Sequence, residues 1–244
     1  MNVEILITGD EIRSGAVIDR NSAHIAMKLE EAGFNNVRHT CVGDNAKDLV
    51  LILQEIGSRS DAALVTGGLG PTSDDLTAQA AATSVGVDLV LNLQALQGVE
   101  SYFKAINRIM PDSNKKQAML PQGADLILNP VGTASGFMLK INRCMFFFLP
   151  GVPFEMQRML SDTVLAKLDK LRGNICEFNM VKTISTFGLT ESATAERVSG
   201  IGGMFPEITL GYRAKFPEIQ IKLYARGKDK EALHQRVVKA AAMV

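Results

Sequence analysis

The sequence predicts an α/β protein: a three-layer αβα domain on a mainly parallel sheet, followed by a smaller α+β module. Three observations carry this. Short strand-like runs at Val3–Thr8, Val37–Cys41 and Ala63–Val65 each pass through a glycine-bearing loop into a segment of helical periodicity, the β-loop-α rhythm of a parallel sheet. Cys144–Leu149, CMFFFL, is apolar at every position and belongs in a strand covered on both faces. Beyond Leu171-Arg172-Gly173-Asn174 the order changes to β-α-β-β-α with alternating strands. The expected division is residues 1–171 for the first domain and 175–244 for the second.

The first run ends at Gly9-Asp10-Glu11, at the strand end where doubly wound sheets bind ligands, so Asp10 and Glu11 are candidate acidic contributors or simply a solvated loop. Asn21 is placed to cap a helix carrying Ile25, Leu29 and Ala32 on one face and stopped by Gly33. His24 falls beside that stripe, as a surface or boundary residue. Val37, His39 and Cys41 alternate with polar neighbours as in a half-buried strand, and Gly43-Asp44-Asn45 turns into a helix with Leu49, Ile52, Leu53 and Ile56 inward.

Asp61–Thr77, DAALVTGGLGPTSDDLT, is the stretch the rest serves. Gly67, Gly68 and Gly70 permit a sharp turn and close ligand approach, and Ser73 or Asp74 is placed to cap the helix that Gly86 ends. Backbone amides at such a helix start favour phosphate. Asp74 and Asp75 would repel a bare phosphate, which points to a divalent cation between the two; the plain alternative is a helix cap and a favourable first-turn charge. The loops at Gly9, Gly43 and Gly67 are expected to gather on one sheet edge.

Asp88–Leu91 reads as a short strand and Asn92 as the cap of a helix through Val99 and Phe103. The polar segment after it carries Lys115 and Lys116, either solvated or swung over ligand phosphates. Val131–Gly136 has the small residues of a backbone-lined pocket wall between two strands. Met156, Leu160, Val164 and Leu168 stripe a helix after Pro153, with Glu155 in its first turn as a dipole partner or as a metal or water ligand. In the second module Thr190 caps a helix through Val198. Gly200-Ile201-Gly202-Gly203 matches a GxxG nucleic-acid loop, for which an ordinary helix-to-strand turn is the stronger reading.

Composition narrows the classes. Lys+Arg 26 against Asp+Glu 26 removes the electrostatic case for nonspecific nucleic-acid or anionic-membrane binding, and 46% hydrophobic content supports a packed core. Cys41, Cys144 and Cys176 lie far apart in apolar contexts, as buried thiols of a reducing compartment. The start lacks a basic leader and no segment approaches a membrane span, so the expected location is the cytoplasm.

These residues resemble the CinA, or competence/damage-inducible, family, whose first domain belongs to the MoaB/Mog molybdopterin-binding group. The likeness is carried by Thr66-Gly67-Gly68-Leu69-Gly70-Pro71-Thr72 with Asp74-Asp75-Leu76-Thr77, by Gly43-Asp44-Asn45, and by Asn129-Pro130-Val131-Gly132-Thr133 with Gly136. Leu149-Pro150-Gly151-Val152-Pro153 with Glu155-Met156, and Lys116-Gln117-Ala118 with Leu120-Pro121, agree as well. It continues through Thr186-Phe187-Gly188 and Glu191-Ser192-Ala193 into a KH-like module. Gly9-Asp10-Glu11-Ile12-Arg13 and Ser135 depart from the family pattern.

The resemblance implies a metal-dependent hydrolase cleaving ADP-ribose to AMP and ribose 5-phosphate. In that expectation Gly67, Gly68, Gly70, Thr72, Gly43, Asp44, Gly132, Thr133 and Gly151 hold the nucleotide. Asp74, Asp75 and Glu11 hold a divalent ion, Mg2+ by default and Mn2+ or Co2+ otherwise. Asp74, Asp75, Glu155 and Lys116 supply the chemistry. The alternatives are molybdopterin binding or adenylyl transfer, and a non-catalytic nucleotide sensor. Full-length members also carry a C-terminal amidase domain, which these residues do not include. A homo-oligomer assembled through the sheet domain is a further implication.

Overall fold

The computed structural model describes residues 1–173 and 178–244, and these form two compact units. One comprises Met1–Leu29 and Asn35–Arg172; the other comprises Glu30–Phe34 and Gly173–Val244.

The first unit opens with β1 (Asn2–Thr8), the short α1 (Asp10–Arg13), α2 (Asn21–Glu31), β2 (Asn35–Val42), α3 (Ala46–Arg59) and β3 (Ala62–Thr66). It continues with α4 (Thr77–Val85), β4 (Leu89–Leu91), α5 (Leu93–Ala105), a 3-10 segment Asp112–Ala118, β5 (Met119–Pro121), β6 (Asp125–Ile127), β7 (Gly136–Ile141) and β8 (Cys144–Leu149). It closes with α6 (Pro153–Met159) and α7 (Leu165–Arg172), joined by a π turn over Leu160–Val164. The main sheet runs β2-β1-β3-β8-β7-β6. β2, β1, β3 and β8 are mutually parallel, and β7 and β6 add antiparallel strands at one side.

Strand composition explains this order. The central strands are buried at almost every position, so their side chains pack on both sheet faces. On one face Leu6, Ala63, Val65, Phe146 and Phe148 join Leu49, Leu53 and Ile56 of α3 and Ala80 and Ala81 of α4. Phe137 and Phe148 stack with centroids 4.4 Å apart. The opposite-facing Ile5, Leu64 and Phe147 are equally buried.

Three local expectations are corrected. β2 is an edge strand, so Cys41 is exposed, not buried; Cys144 is buried, and burial pushes its thiol up to about 12. Cys176 lies outside the described residues. α4 starts at Thr77 behind Leu76 with no side-chain cap, so neither Ser73 nor Asp74 caps it. Asn21 does not cap α2: Asp19 Oδ1 accepts the Ser22 amide at 2.9 Å instead.

The second unit contains β9 (Phe178–Phe187), α8 (Glu191–Val198), α9 (Ile201–Met204), β10 (Ile208–Lys215), β11 (Glu218–Gly227) and α10 (Lys230–Met243). Its antiparallel sheet runs β10-β11-β9. Ile221, Leu223 and Ala225 pack against Val198, Ile201, Leu233 and Val237 in a core of its own. Thr190 caps α8 by accepting the Ala193 amide at 3.2 Å. The Gly200-Ile201-Gly202-Gly203 run enters a further short helix, not a direct turn into a strand. No helix among the described residues is long and apolar enough to cross a membrane.

Candidate functional site

The C-terminal ends of β1, β3 and β8 lie side by side in the parallel sheet, and the loops leaving them enclose a cleft of about 870 Å³. Open α/β sheets bind their ligands at such strand ends. Thr8, Gly9, Asp44, Thr66, Gly67, Gly151 and Glu155 all line it. The loops at Gly9 and Gly67 thus meet, with Asp44 supplied by the loop after β2.

The glycine turn is built by close approach. Gly67 and Gly68 have positive φ, and a Cβ at either would collide with Thr8 or Thr77. Glycine is required there on both counts. The Gly67 amide continues the sheet by donating to Leu149 O at 3.1 Å, so it is not free to hold a nucleotide, contrary to the expectation for Gly67. Among the described residues no hydrogen bond occupies the amides of Gly68, Leu69 or Gly70. All three residues line the cleft, and successive backbone donors of this kind suit an anion.

The acidic residues are engaged individually. Asp75 folds back on its own turn, where its Oδ2 accepts the Thr72 amide at 2.9 Å and the Thr72 hydroxyl. The same hydroxyl lies close enough to Asp74 to hold that exposed carboxyl below its ordinary value. Asp44 Oδ2 accepts the Asp10 amide at 2.9 Å; burial, outweighing that bond, and the charges of Asp10, Glu11 and Asp74 push its pKa up. The Glu11 carboxylate lies over Gly9. Among the described residues no three His, Cys, Asp or Glu side chains converge as a cation cage. The set Asp74, Asp75 and Glu11 is therefore not one.

Four predicted residues sit outside the cleft lining. Lys116 Nζ donates to the Thr72 carbonyl and lines a separate cavity of about 150 Å³ together with Leu69 and Gly70, so it braces the loop. Thr72 holds Asp75, as above. Gly43 is buried against the Asp10–Arg13 ion pair, where a Cβ would collide with both side chains. Gly132 is buried against the Glu155 carboxyl. Thr133 and Gly151 do line the cleft.

Glu155 is half-buried in the first turn of α6. Its Oε2 accepts from Asn129 Nδ2 at 2.6 Å, and Asn129 also donates to Ala134 O at 3.0 Å. Burial pushes its pKa up, opposed only by the Asn129 bond.

Asn21 is the residue whose role in the site sequence reasoning missed. Its Nδ2 donates to Thr66 Oγ1 at 3.1 Å and to Gly151 O at 2.8 Å, and Thr66 donates to Pro150 O at 2.9 Å. That chain ties the ends of β3 and β8 to α2. The available signal was Asp19 three residues before Ser22, a cap spacing that leaves Asn21 unused at the helix start. Arg20 also lines the cleft and supplies the positive charge among its lining residues.

Comparisons with known proteins place this architecture. Residues 4–170 match the family described as a probable molybdopterin binding domain, and residues 181–244 match the damage-inducible protein CinA KH domain. A CinA-like protein of Desulfosudis oleivorans is 46% identical over 229 residues, 94% of this chain and 55% of that protein. A Shewanella oneidensis protein named nicotinamide-nucleotide amidohydrolase PncC is 42% identical over 250 residues, 100% of this chain and 57% of that protein. The chain thus spans little more than half the length of these relatives. The crystal structure of CinA from Thermoplasma acidophilum, described as of unknown function, gives a TM-score of 0.62 at 30% identity, covering 68% of this chain and 98% of that one.

These findings overturn the expected ADP-ribose hydrolase. The family matched by the first unit is described by molybdopterin binding, and the enzyme name among the relatives is an amidohydrolase, not a pyrophosphatase. The cleft agrees with the correction: Asp75 is held by Thr72, Lys116 stands behind the loop and the proposed ion ligands form no cage. With a molybdopterin-type unit followed by a CinA KH unit, and with the Thermoplasma protein covered almost end to end, the chain belongs to the CinA family.

Proposed function

We propose that the first unit binds a phosphorylated pterin of the molybdopterin class in the cleft at the ends of β1, β3 and β8. The observation that carries this reading is the row of amides at Gly68, Leu69 and Gly70, which have no hydrogen-bond acceptor among the described residues. Three such donors suit a phosphate monoester. The family described by molybdopterin binding supports the class of ligand. A volume of about 870 Å³ is ample for a two-ring heterocycle with its phosphate.

The Asp74, Asp75 and Glu11 carboxylates do not fit a resident metal, because Asp75 is committed to Thr72 and the three form no cation-holding group among the described residues. The reading therefore assigns no metal-dependent step, and the charge opposing the repulsion of Asp74 and Asp75 on a phosphate falls to Arg20, which lines the same cleft. The cleft lining also lacks cysteine, histidine and lysine, so the amidohydrolase named for the Shewanella relative is not assigned to it.

Calorimetric titration with a phosphorylated pterin tests the reading. Wild-type protein should bind it, and Gly68→Ala should weaken binding tenfold or more, about 1.4 kcal/mol. The added methyl strains a positive φ and strikes the Thr77 hydroxyl, displacing the neighbouring amides. Absence of binding by the wild type overturns the proposal.

A further inference from the structure

Phosphate recognition does not account for Glu155, which lines the same cleft. Glu155 is a carboxylate drawn out of bulk water, yet no Lys, Arg or His pairs with it among the described residues. Among the described residues its one donor is Asn129 Nδ2. An ionised carboxylate accepts through two oxygens with about four lone-pair sites, so most of its accepting capacity is left for donors other than Asn129. Glu155 is half-buried and lines the cleft, which makes those sites available to donors that enter it.

Its placement is fixed on two sides. Asn129 Oδ1 accepts the Val131 amide at 3.1 Å, which orients the Asn129 amide group and keeps its Nδ2 pointed at Glu155 and Ala134 O. Gly132 lies against the carboxyl so closely that a Cβ there would collide with its carbon and both oxygens. The 129–134 turn is therefore moulded to hold this one side chain at the cleft edge. A residue serving only the helix dipole would need neither contact.

We propose that Glu155 is the specificity-determining carboxylate of the cleft, accepting paired N–H donors from the ligand's heterocycle. The chemistry it selects is a ring N–H beside an exocyclic amino group, two parallel donors that match the two oxygens of a carboxylate. Pterins and guanine present that edge; adenine and unsubstituted purine do not. The inference rests on the phosphorylated-ligand reading above and adds which part of the ligand is recognised.

Binding is measured by calorimetry with 6-hydroxymethylpterin phosphate, GMP and purine riboside 5′-phosphate, whose ring carries no N–H donor. The expected result for wild-type protein is that the first two bind about tenfold or more tightly than the third. Glu155→Gln keeps the length of the side chain and an oxygen for Asn129 but turns an amide donor towards the cleft, so the preference should disappear. Lowering the pH until Glu155 is protonated should erode the same preference in the wild type, a change that a merely structural glutamate would not produce.

The inference is overturned if donor-bearing rings hold no advantage over purine riboside 5′-phosphate in the wild type, or if Glu155→Gln retains the advantage. The wild-type series and its pH dependence stand even if that variant folds poorly. A preference for GMP over the pterin that Glu155→Gln abolishes would refute the pterin assignment and uphold the role of Glu155. Tight pterin binding indifferent to Glu155→Gln would do the reverse.

Discussion

Glu155 also sets a balance between binding and stability. Its folded pKa is raised by burial, so the native state holds its proton to higher pH than the unfolded chain does. Between the two pKa values the native state binds more protons, and stability falls as pH rises through that window. Its destabilising effect is absent below the unfolded pKa and complete above the folded one. Glu155→Gln removes the titration while leaving an oxygen for Asn129. The variant should therefore melt at higher temperature than wild type at neutral pH, with the gap closing as the pH is lowered below the ordinary glutamate range. Thermal melts across pH 3–8 check this; a gap that widens on acidification would show that Glu155 is stabilised as the anion. Asn21 shows the other side of residue-scale design. It bridges Thr66 and Gly151 and so fixes two strand ends, but its own Oδ1 has no hydrogen-bond partner among the described residues.

At the scale of elements, the sheet has its ligand loops at one end and an ionic lock at the other. Glu4, in the first half of β1, is almost fully buried and receives two bonds of 2.7 Å from Arg59 at the end of α3, plus one from Ser60. Burial alone would raise the Glu4 pKa, but Arg59, Ser60 and Arg38 outweigh it and hold it below the ordinary value. Arg59→Met leaves that carboxylate without its main partner. Breaking such a pair costs about 3 kcal/mol, and denaturant titration at neutral pH should show a loss of that order. The loss should shrink in acid, because a depressed carboxylate contributes its stability above the unfolded pKa and loses it as pH falls through the folded one. These elements were largely legible in the sequence. CMFFFL can only be a buried strand, the Met156–Leu168 stripe is wholly buried, and Thr-Gly-Gly-Leu-Gly-Pro fixed the main turn. The site was less legible because its roles depend on hydrogen bonds between segments remote in sequence. Nothing local distinguishes Asn21 as a strand tie from Asn21 as a cap, or Lys116 as a phosphate ligand from Lys116 as a brace on Thr72. Adjacent Asp74 and Asp75 read as one ion site, whereas in the fold both carboxylates lie at Thr72, which gives Asp75 its amide and hydroxyl.

For the whole molecule, the decisive feature is that each unit has its own core. Phe146, Phe148 and Leu53 belong to the first, and Leu223, Ile221 and Val237 to the second. Cooperative unfolding follows a shared core, so units with separate cores are expected to melt as separate transitions. A ligand that binds only the native form of one unit raises that unit's transition by mass action and leaves the other in place. Differential scanning calorimetry should therefore resolve two transitions. Leu223→Ala creates a cavity in the second core and should lower its transition, at a cost of about 2–5 kcal/mol. Saturating phosphorylated pterin should raise the other transition alone, in the wild type and in Leu223→Ala alike. If the pterin instead moved the transition that Leu223→Ala lowers, the ligand site would lie outside the β1, β3 and β8 cleft, and the assignment of binding to the first unit would fail.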